Sequence, residues 1–219
     1  AVTYDTVLDH PNKASALIVF PDVETCCNAV TVLKNQPVSA VELLDRRSMR
    51  SVQNKPGMPA FVRELSENAC ALLIEARAAT QSLLHEQLAQ IMASIAHFPV
   101  EKQVDFTEDP AENARLWAIR KDTFPAVGAV RETGTTVIIE DVTFPVEQLA
   151  IGVRRLIELF DKHHYPEAIL FAHPLEGNLH FVSTHCFNDP TEIARNSAVM
   201  VDDIHMVAVA FGGASQADT

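Results

Sequence analysis

The residues best suited to chemistry lie in His173-Pro-Leu-Glu-Gly-Asn-Leu-His180, two imidazoles around a turn that carries Pro174 and Gly177. The flanking stretches Ala168–His173 and His180–Thr184 read as short strands joined by that turn. Side chains alternate along a strand, so with His173 opposite His180 the set Ile169, Phe171 and His173 shares a face with His180, Val182 and Thr184. Directly opposed Cβ atoms lie about 5 Å apart, close enough for two imidazoles to reach one divalent ion of the Zn, Fe, Ni or Mn kind. A metal centre needs a third ligand. Glu176 in the turn, and Glu140 and Asp141 at the end of another strand, are nearby carboxylates without a distinguishing mark. The alternative, commoner on spacing alone, is that one His bonds the turn and the other is a solvated strand end.

A second group is Leu116-Trp-Ala-Ile-Arg-Lys121. Trp117 and Ile119 mark a core-facing stripe, which sends Arg120 and Lys121 elsewhere on the helix. A guanidinium grips a carboxylate with two parallel bonds, which an ammonium cannot do, so Arg120 is a candidate anchor for a small organic acid. Pairing with Asp122 or Glu112 on a solvated helix face is the bland alternative. His163, His164, His185 and His205 stand in plainer contexts. Nucleophilic hydrolysis has no support, because there is no G-x-S-x-G elbow and no cysteine in an electropositive setting.

The elements that must position these groups follow from periodicity. Ala16–Phe20 is a short apolar run stopped by Pro21, hence a buried strand. Asp22 can cap a helix from Val23 to Leu33, and strands follow at Val38–Leu44 and Ala69–Ile74, separated by a loop with Pro56, Gly57 and Pro59. Thr80–His97 carries the stripe Leu84, Leu88, Ile91, Met92 and Ile95, and a strand near Val100–Val104 completes a β-α-β-β-α-β half. The second half repeats the order without an alignable repeat. It has a helix at Pro110–Lys121, a strand at Thr136–Val142, a helix faced by Leu149, Val153, Leu156, Ile157 and Phe160, the His-bearing hairpin, and a last helix from Asp189 to about Val209. The fold class expected is α+β, with duplicated ferredoxin-like subdomains at about 1–105 and 106–219 in one large antiparallel sheet with helices packed on one face.

The 219 residues hold 17 Lys and Arg against 29 Asp and Glu, a formal charge of −12, and only 7 Gly. That charge repels phosphate, and Arg46, Arg47 and Arg50 are too few to reverse it, so nucleic acid is excluded as a partner. Neither G-x-G-x-x-G nor G-x-x-x-x-G-K-[ST] occurs, which argues against a self-contained nucleotide enzyme. Cys26, Cys27, Cys70 and Cys186 form no C-x-x-C and read as small hydrophobes in a reducing compartment. No apolar run approaches a membrane span.

The segments Leu116-Trp-Ala-Ile-Arg-Lys121, Thr133-Gly-Thr-Thr-Val-Ile-Ile-Glu-Asp-Val-Thr-Phe-Pro145 and His173-Pro-Leu-Glu-Gly-Asn-Leu-His180 together resemble the C-terminal, substrate-side domain of FAD-linked oxidases. This is the D-lactate dehydrogenase, glycolate oxidase and D-2-hydroxyglutarate dehydrogenase group, and the likeness is nearest to large bacterial members with a fused iron–sulfur portion. Glu42-Leu-Leu-Asp-Arg-Arg47 fits too. The resemblance implies oxidation of a D-2-hydroxy acid to the 2-oxo acid, with FAD bound mainly by a domain preceding Ala1 and an iron–sulfur cluster elsewhere in a longer protein. It implies that His173 and His180 bind a divalent metal such as Zn, Mn or Fe, that Arg120 with Lys121 binds substrate, and that Glu176 and Asn178 lie near the flavin. The group's third ligand and base form A-E-H-G; here Ala217-Asp218-Thr219 stands at that place, so Asp218 is the candidate third ligand and the base is expected beyond Thr219. Ile139 stands where some members have a substrate-binding lysine. By itself the chain is expected to be inactive, cytoplasmic or peripheral at the inner membrane, and compatible with a homodimer. A free-standing ferredoxin-like module binding a small acid or metal, and a purely structural dimerisation domain, are the alternatives.

Overall fold

The computed structural model describes residues 3, 6, 8–199 and 204–215. Strand β1 (Asn12–Phe20) ends at Pro21, and the Asp22 carboxylate accepts from the Thr25 amide at 2.7 Å to start helix α1 (Val23–Leu33). This is the expected cap on an amide that the helix leaves unpaired. Next come β2 (Ala40–Leu44), α2 (Arg46–Val52), β3 (Cys70–Ala78), α3 (Gln81–Ile95) and β4 (Lys102–Thr107). Helices α4 (Pro110–Lys121) and α5 (Thr123–Val130) precede β5 (Thr136–Thr143), α6 (Leu149–Lys162), β6 (Ile169–His173) and β7 (Asn178–His185). The last helix, expected from Asp189 to about Val209, is present as α7 (Pro190–Ser197) and α8 (His205–Ala210), with residues 200–203 between them outside the described set, and a short strand β8 (Ala214–Ser215) follows.

All strands join one antiparallel sheet in the order β4-β1-β3-β2-β6-β7-β5-β8. Read inward from each edge, the orders β4-β1-β3-β2 and β8-β5-β7-β6 are the same, each the split arrangement of a ferredoxin-like unit. Strand β8 supplies the fourth strand of the second unit. It can approach β5 because a Cβ on Gly213 would stand 2.0 Å from the Thr143 carbonyl oxygen, so only glycine fits.

The two units meet where β2 pairs with β6, Leu43 opposite Ala172 and Leu44 opposite Phe171. Buried Asp45 strengthens this seam, accepting from the amides of Ser48 at 2.7 Å and Leu170 at 3.3 Å, while Ser48 Oγ donates to the Leu170 carbonyl at 2.7 Å. Helices α1, α3, α6 and α8 bury one face of the sheet over Ile18, Phe20, Leu43, Leu72, Leu170 and Phe181. The opposite face carries Leu17, Val19, Leu44, Leu73, Phe171 and Val182, and is partly roofed by α2, α4 and α5 through Met49, Leu116, Ile119 and Ala126. Cys26, Cys27 and Cys70 are buried free thiols. Among the described residues no helix is long and apolar enough to cross a membrane.

Candidate functional site

The β6–β7 hairpin sets Phe171 opposite His180 and His173 opposite Asn178, which corrects the expected pairing of the two histidines by two residues. The turn is tighter than the sequence suggested. Pro174–Glu176 form a 3-10 turn closed by the Gly177 amide on the Pro174 carbonyl at 3.1 Å, so β7 resumes at Asn178. Gly177 has φ +70° and a Cβ there would fall 1.8 Å from the Phe144 carbonyl oxygen, whose own amide donates to Gly177 O at 3.0 Å. No other residue fits that approach. An offset of two keeps the alternation, and both imidazoles remain on the face roofed by α4. They are diagonal neighbours, with ring centroids 5.2 Å apart and planes 87° to one another.

Each imidazole is held from behind by a carboxylate. Continuing the β2–β6 register brings Glu42 beside His173, and Glu42 Oε1 lies 2.9 Å from His173 Nδ1. In β5, Asp141 is directly opposite His180 and its carboxylate bonds His180 Nδ1. A carboxylate only accepts, so in both rings Nδ1 carries the hydrogen, and in the neutral ring that leaves the lone pair on Nε2. Among the described residues neither Nε2 is engaged. A carboxylate behind an imidazole is the outer arrangement that orients metal-binding histidines. Asp141 is therefore a partner of His180 and not an inner ligand, and Glu140 points to the other face.

Arg120 enters from α4 and closes the group. Its Nε donates to Glu42 Oε2 at 2.9 Å, and its guanidinium lies 4.1 Å from the centroid of the Phe171 ring. Phe171 in turn touches the His180 ring, with centroids 5.3 Å apart. The expectation that Arg120 projects away from the core-facing stripe is corrected. Residues three and four apart on a helix are neighbours, so Arg120 shares the sheet-facing side with Leu116 and Trp117, whose indole donates to Ser15 Oγ at 3.1 Å. Neither bland partner holds it: Asp122 pairs with Lys55 and Glu112 with Arg115. Glu42 uses only Nε, and among the described residues no side chain occupies the fork formed by the two Nη groups of Arg120.

Lys121, about 100° further round the helix, is exposed and outside the cluster. Glu176 is exposed in the turn and lines a groove with Lys34, Pro145 and Glu147, while Asn178 is half-buried opposite His173. Asp218 lies outside the described residues. The two imidazoles fit a divalent ion as donors, but a catalytic ion takes three protein ligands. Among the described residues no group of three or more His, Cys, Asp or Glu is arranged to hold one. His185 is a satisfied core histidine, bonded to Tyr165 and Ser183, and burial lowers its pKa. A cavity of about 610 Å³ opens at the far end of the same hairpin beside Arg47, Arg131, Ile169 and Thr184, away from the cluster.

Glu42 and Phe171 are the members that sequence reading passed over as functional, and Asp141 stood there only as one of several nearby carboxylates. The signal for Glu42 was present, an acidic residue inside the apolar strand Ala40-Val-Glu-Leu-Leu44 that is 8% exposed. A carboxylate so placed must have a cationic or donor partner.

Comparison with known proteins bears on this group. Residues 9–218 match the family described as FAD linked oxidases, C-terminal domain. Over 167 residues, 75% of this chain, the sequence is 30% identical to the mitochondrial D-lactate dehydrogenase [cytochrome] of Arabidopsis thaliana, and it spans 28% of that protein's length. Among solved structures, p-cresol methylhydroxylase with substrate bound superposes with a TM-score of 0.64 at 13% identity, covering 93% of this chain and 44% of that one. An alkyldihydroxyacetonephosphate synthase gives 0.62 at 10% identity, covering 94% and 41%. The 4-ethylphenol oxidase of Gulosibacter chungangensis gives 0.56 at 12%, covering 92% and 44%. At these identities the structural likeness speaks to the fold.

Proposed function

The chain belongs to the FAD-linked oxidase C-terminal domain family, and on that premise we propose that it is the substrate-side part of an FAD-dependent dehydrogenase converting a D-2-hydroxy acid to the 2-oxo acid. D-lactate, glycolate and D-2-hydroxyglutarate are the substrate types considered, and the FAD-binding domain of the same protein is the partner. The observation that carries the reading is the Arg120 fork, free of carboxylates among the described residues, on the same patch of sheet as two carboxylate-backed imidazoles.

The tasks of this chain's residues follow from their chemistry. Arg120 binds the substrate carboxylate through its two Nη groups, with Phe171 as a flat support under the guanidinium. His173 and His180 offer Nε2 as two ligands of a divalent ion, and Glu42 and Asp141 keep those nitrogens facing outward. Asn178, at the turn end of the hairpin, and Glu176 are assigned to the flavin side of the site. When bound, FAD would supply the acceptor for the C2 hydride, and a divalent ion held by His173 and His180 would polarise the hydroxyl, whose proton goes to a base. Lys121 is assigned a secondary electrostatic role toward an anionic substrate.

The test is direct. Expressed from its complete open reading frame, the protein is mixed anaerobically with D-lactate, glycolate, D-2-hydroxyglutarate and the L-enantiomers of the chiral acids, and the flavin absorbance is followed. Bleaching by at least one of these acids with rejection of the L-forms is expected. A protein without flavin, or one whose flavin none of these acids reduces, overturns the reading.

A further inference from the structure

Resting on that reading, we propose that Glu42 is a positioning residue that sets the anion fork and one metal-facing imidazole with a single carboxylate. The two oxygens divide the work. Oε2 holds Arg120 by Nε at 2.9 Å, which leaves both Nη groups to a ligand, and Oε1 holds His173 by Nδ1 at 2.9 Å, which leaves the Nε2 lone pair outward. Glu42 is rooted on a strand of the first ferredoxin-like unit, while both groups it holds come from later in the chain, 78 and 131 residues on.

Burial makes the arrangement demanding. Glu42 is 8% exposed and the Arg120 side chain 16%, so neither charge has water as a full substitute partner. Removing the carboxylate would leave a guanidinium without its inner acceptor and an imidazole free to change tautomer. The next residue on that face of β2, Leu44, pairs with Phe171 and fixes the platform under Arg120. The carboxylate and the aromatic support are thus delivered by adjacent positions on the same face of two paired strands.

The two functions can be separated by substitution. In Glu42→Gln the amide oxygen still accepts from Arg120 Nε, but the amide NH2 now meets His173 Nδ1 and favours the tautomer with hydrogen on Nε2. That tautomer has no lone pair to offer a metal ion. In Glu42→Ala both holds are lost.

The experiment titrates the purified protein with Co²⁺ alone, followed by its visible absorption, and measures KM and kcat for D-lactate or the best acid at saturating Co²⁺. Glu42→Gln is expected to weaken Co²⁺ binding about ten- to a hundredfold and to raise KM at saturating metal less than Glu42→Ala does. Glu42→Ala is expected to weaken Co²⁺ binding and also to raise KM. Unchanged Co²⁺ affinity in Glu42→Gln, in a protein that does bind Co²⁺, overturns the proposal. Absence of Co²⁺ binding in the unmodified protein instead overturns the metal reading above. A second measurement works without any variant or metal. Long-range ¹H–¹⁵N correlations of the histidine rings are expected to show His173 with its hydrogen on Nδ1, and a neutral ring with its hydrogen on Nε2 alone overturns the role of Glu42 whatever the fate of the variants.

Discussion

Arg120 shows how little of a residue's duty lies in its own neighbourhood. Its local partners, Asp122 and Glu112, are engaged elsewhere, and its true holder is Glu42, 78 positions away in sequence. Spacing could nominate Arg120 and the two histidines because their types are unusual and their separation short. It could not nominate Glu42 or put Asp141 behind His180, because both depend on strand register. The guanidinium is planar, stacks on Phe171 and keeps two parallel donors after the bond to Glu42, and a lysine can do none of these together. Arg120→Lys in the complete protein is therefore expected to raise KM for the acid about tenfold or more, the loss of a bidentate charge-assisted pair, with a smaller change in kcat. Steady-state kinetics on the purified variant decide it, and an unaltered KM would make Arg120 a structural clasp only.

At the scale of elements, the hairpin is where sequence reading came nearest and still missed. Alternation gave the right face for Ile169, Phe171, His173, His180, Val182 and Thr184, because parity survives any even slip. The register itself is set by the turn, where Pro174, Gly177 and the distant Phe144 decide that β7 begins at Asn178. No local pattern contains Phe144. Helices were more legible, since caps and periodicity are local: α4 begins at Pro110 behind Asp109 and ends at Lys121 as its sequence indicates. The return of β8 to β5 was not legible, because nothing local announces it. Gly177→Ala tests the turn. With φ at +70° and a carbonyl oxygen 1.8 Å from the new Cβ, the chain must shift, and a loss of about 3 kcal/mol or more is expected from strain and the displaced Phe144 bond. Urea unfolding of the variant measures it, and a midpoint near that of the parent would show the turn to be tolerant.

Across the whole molecule, the duplication was legible as a repeated order of elements, but the joint between its units was not. Only two residue pairs link β2 to β6, yet Asp45 and Ser48 tie the same place with side-chain bonds to Leu170. Helix α4, from the second half of the chain, packs over β1 of the first through Trp117 and Ser15. Unfolding followed by the fluorescence of Trp117, the only tryptophan, and by far-ultraviolet dichroism should therefore coincide. Asp45→Ala removes a helix cap worth about 1 kcal/mol and strands the Leu170 amide at about 1–3 kcal/mol, so a loss of about 3 kcal/mol is expected. If the two signals separate in the variant, the joint is what made the molecule cooperative; if stability is unaffected, the seam rests on its apolar contacts. The seam also bears on inheritance. Because Glu42 stands on one side of it and His173 on the other, a chimera that takes one unit from a relative can fold correctly and still misplace the pair. Exchanging one unit alone would therefore separate Glu42 from the arginine and the histidine it holds.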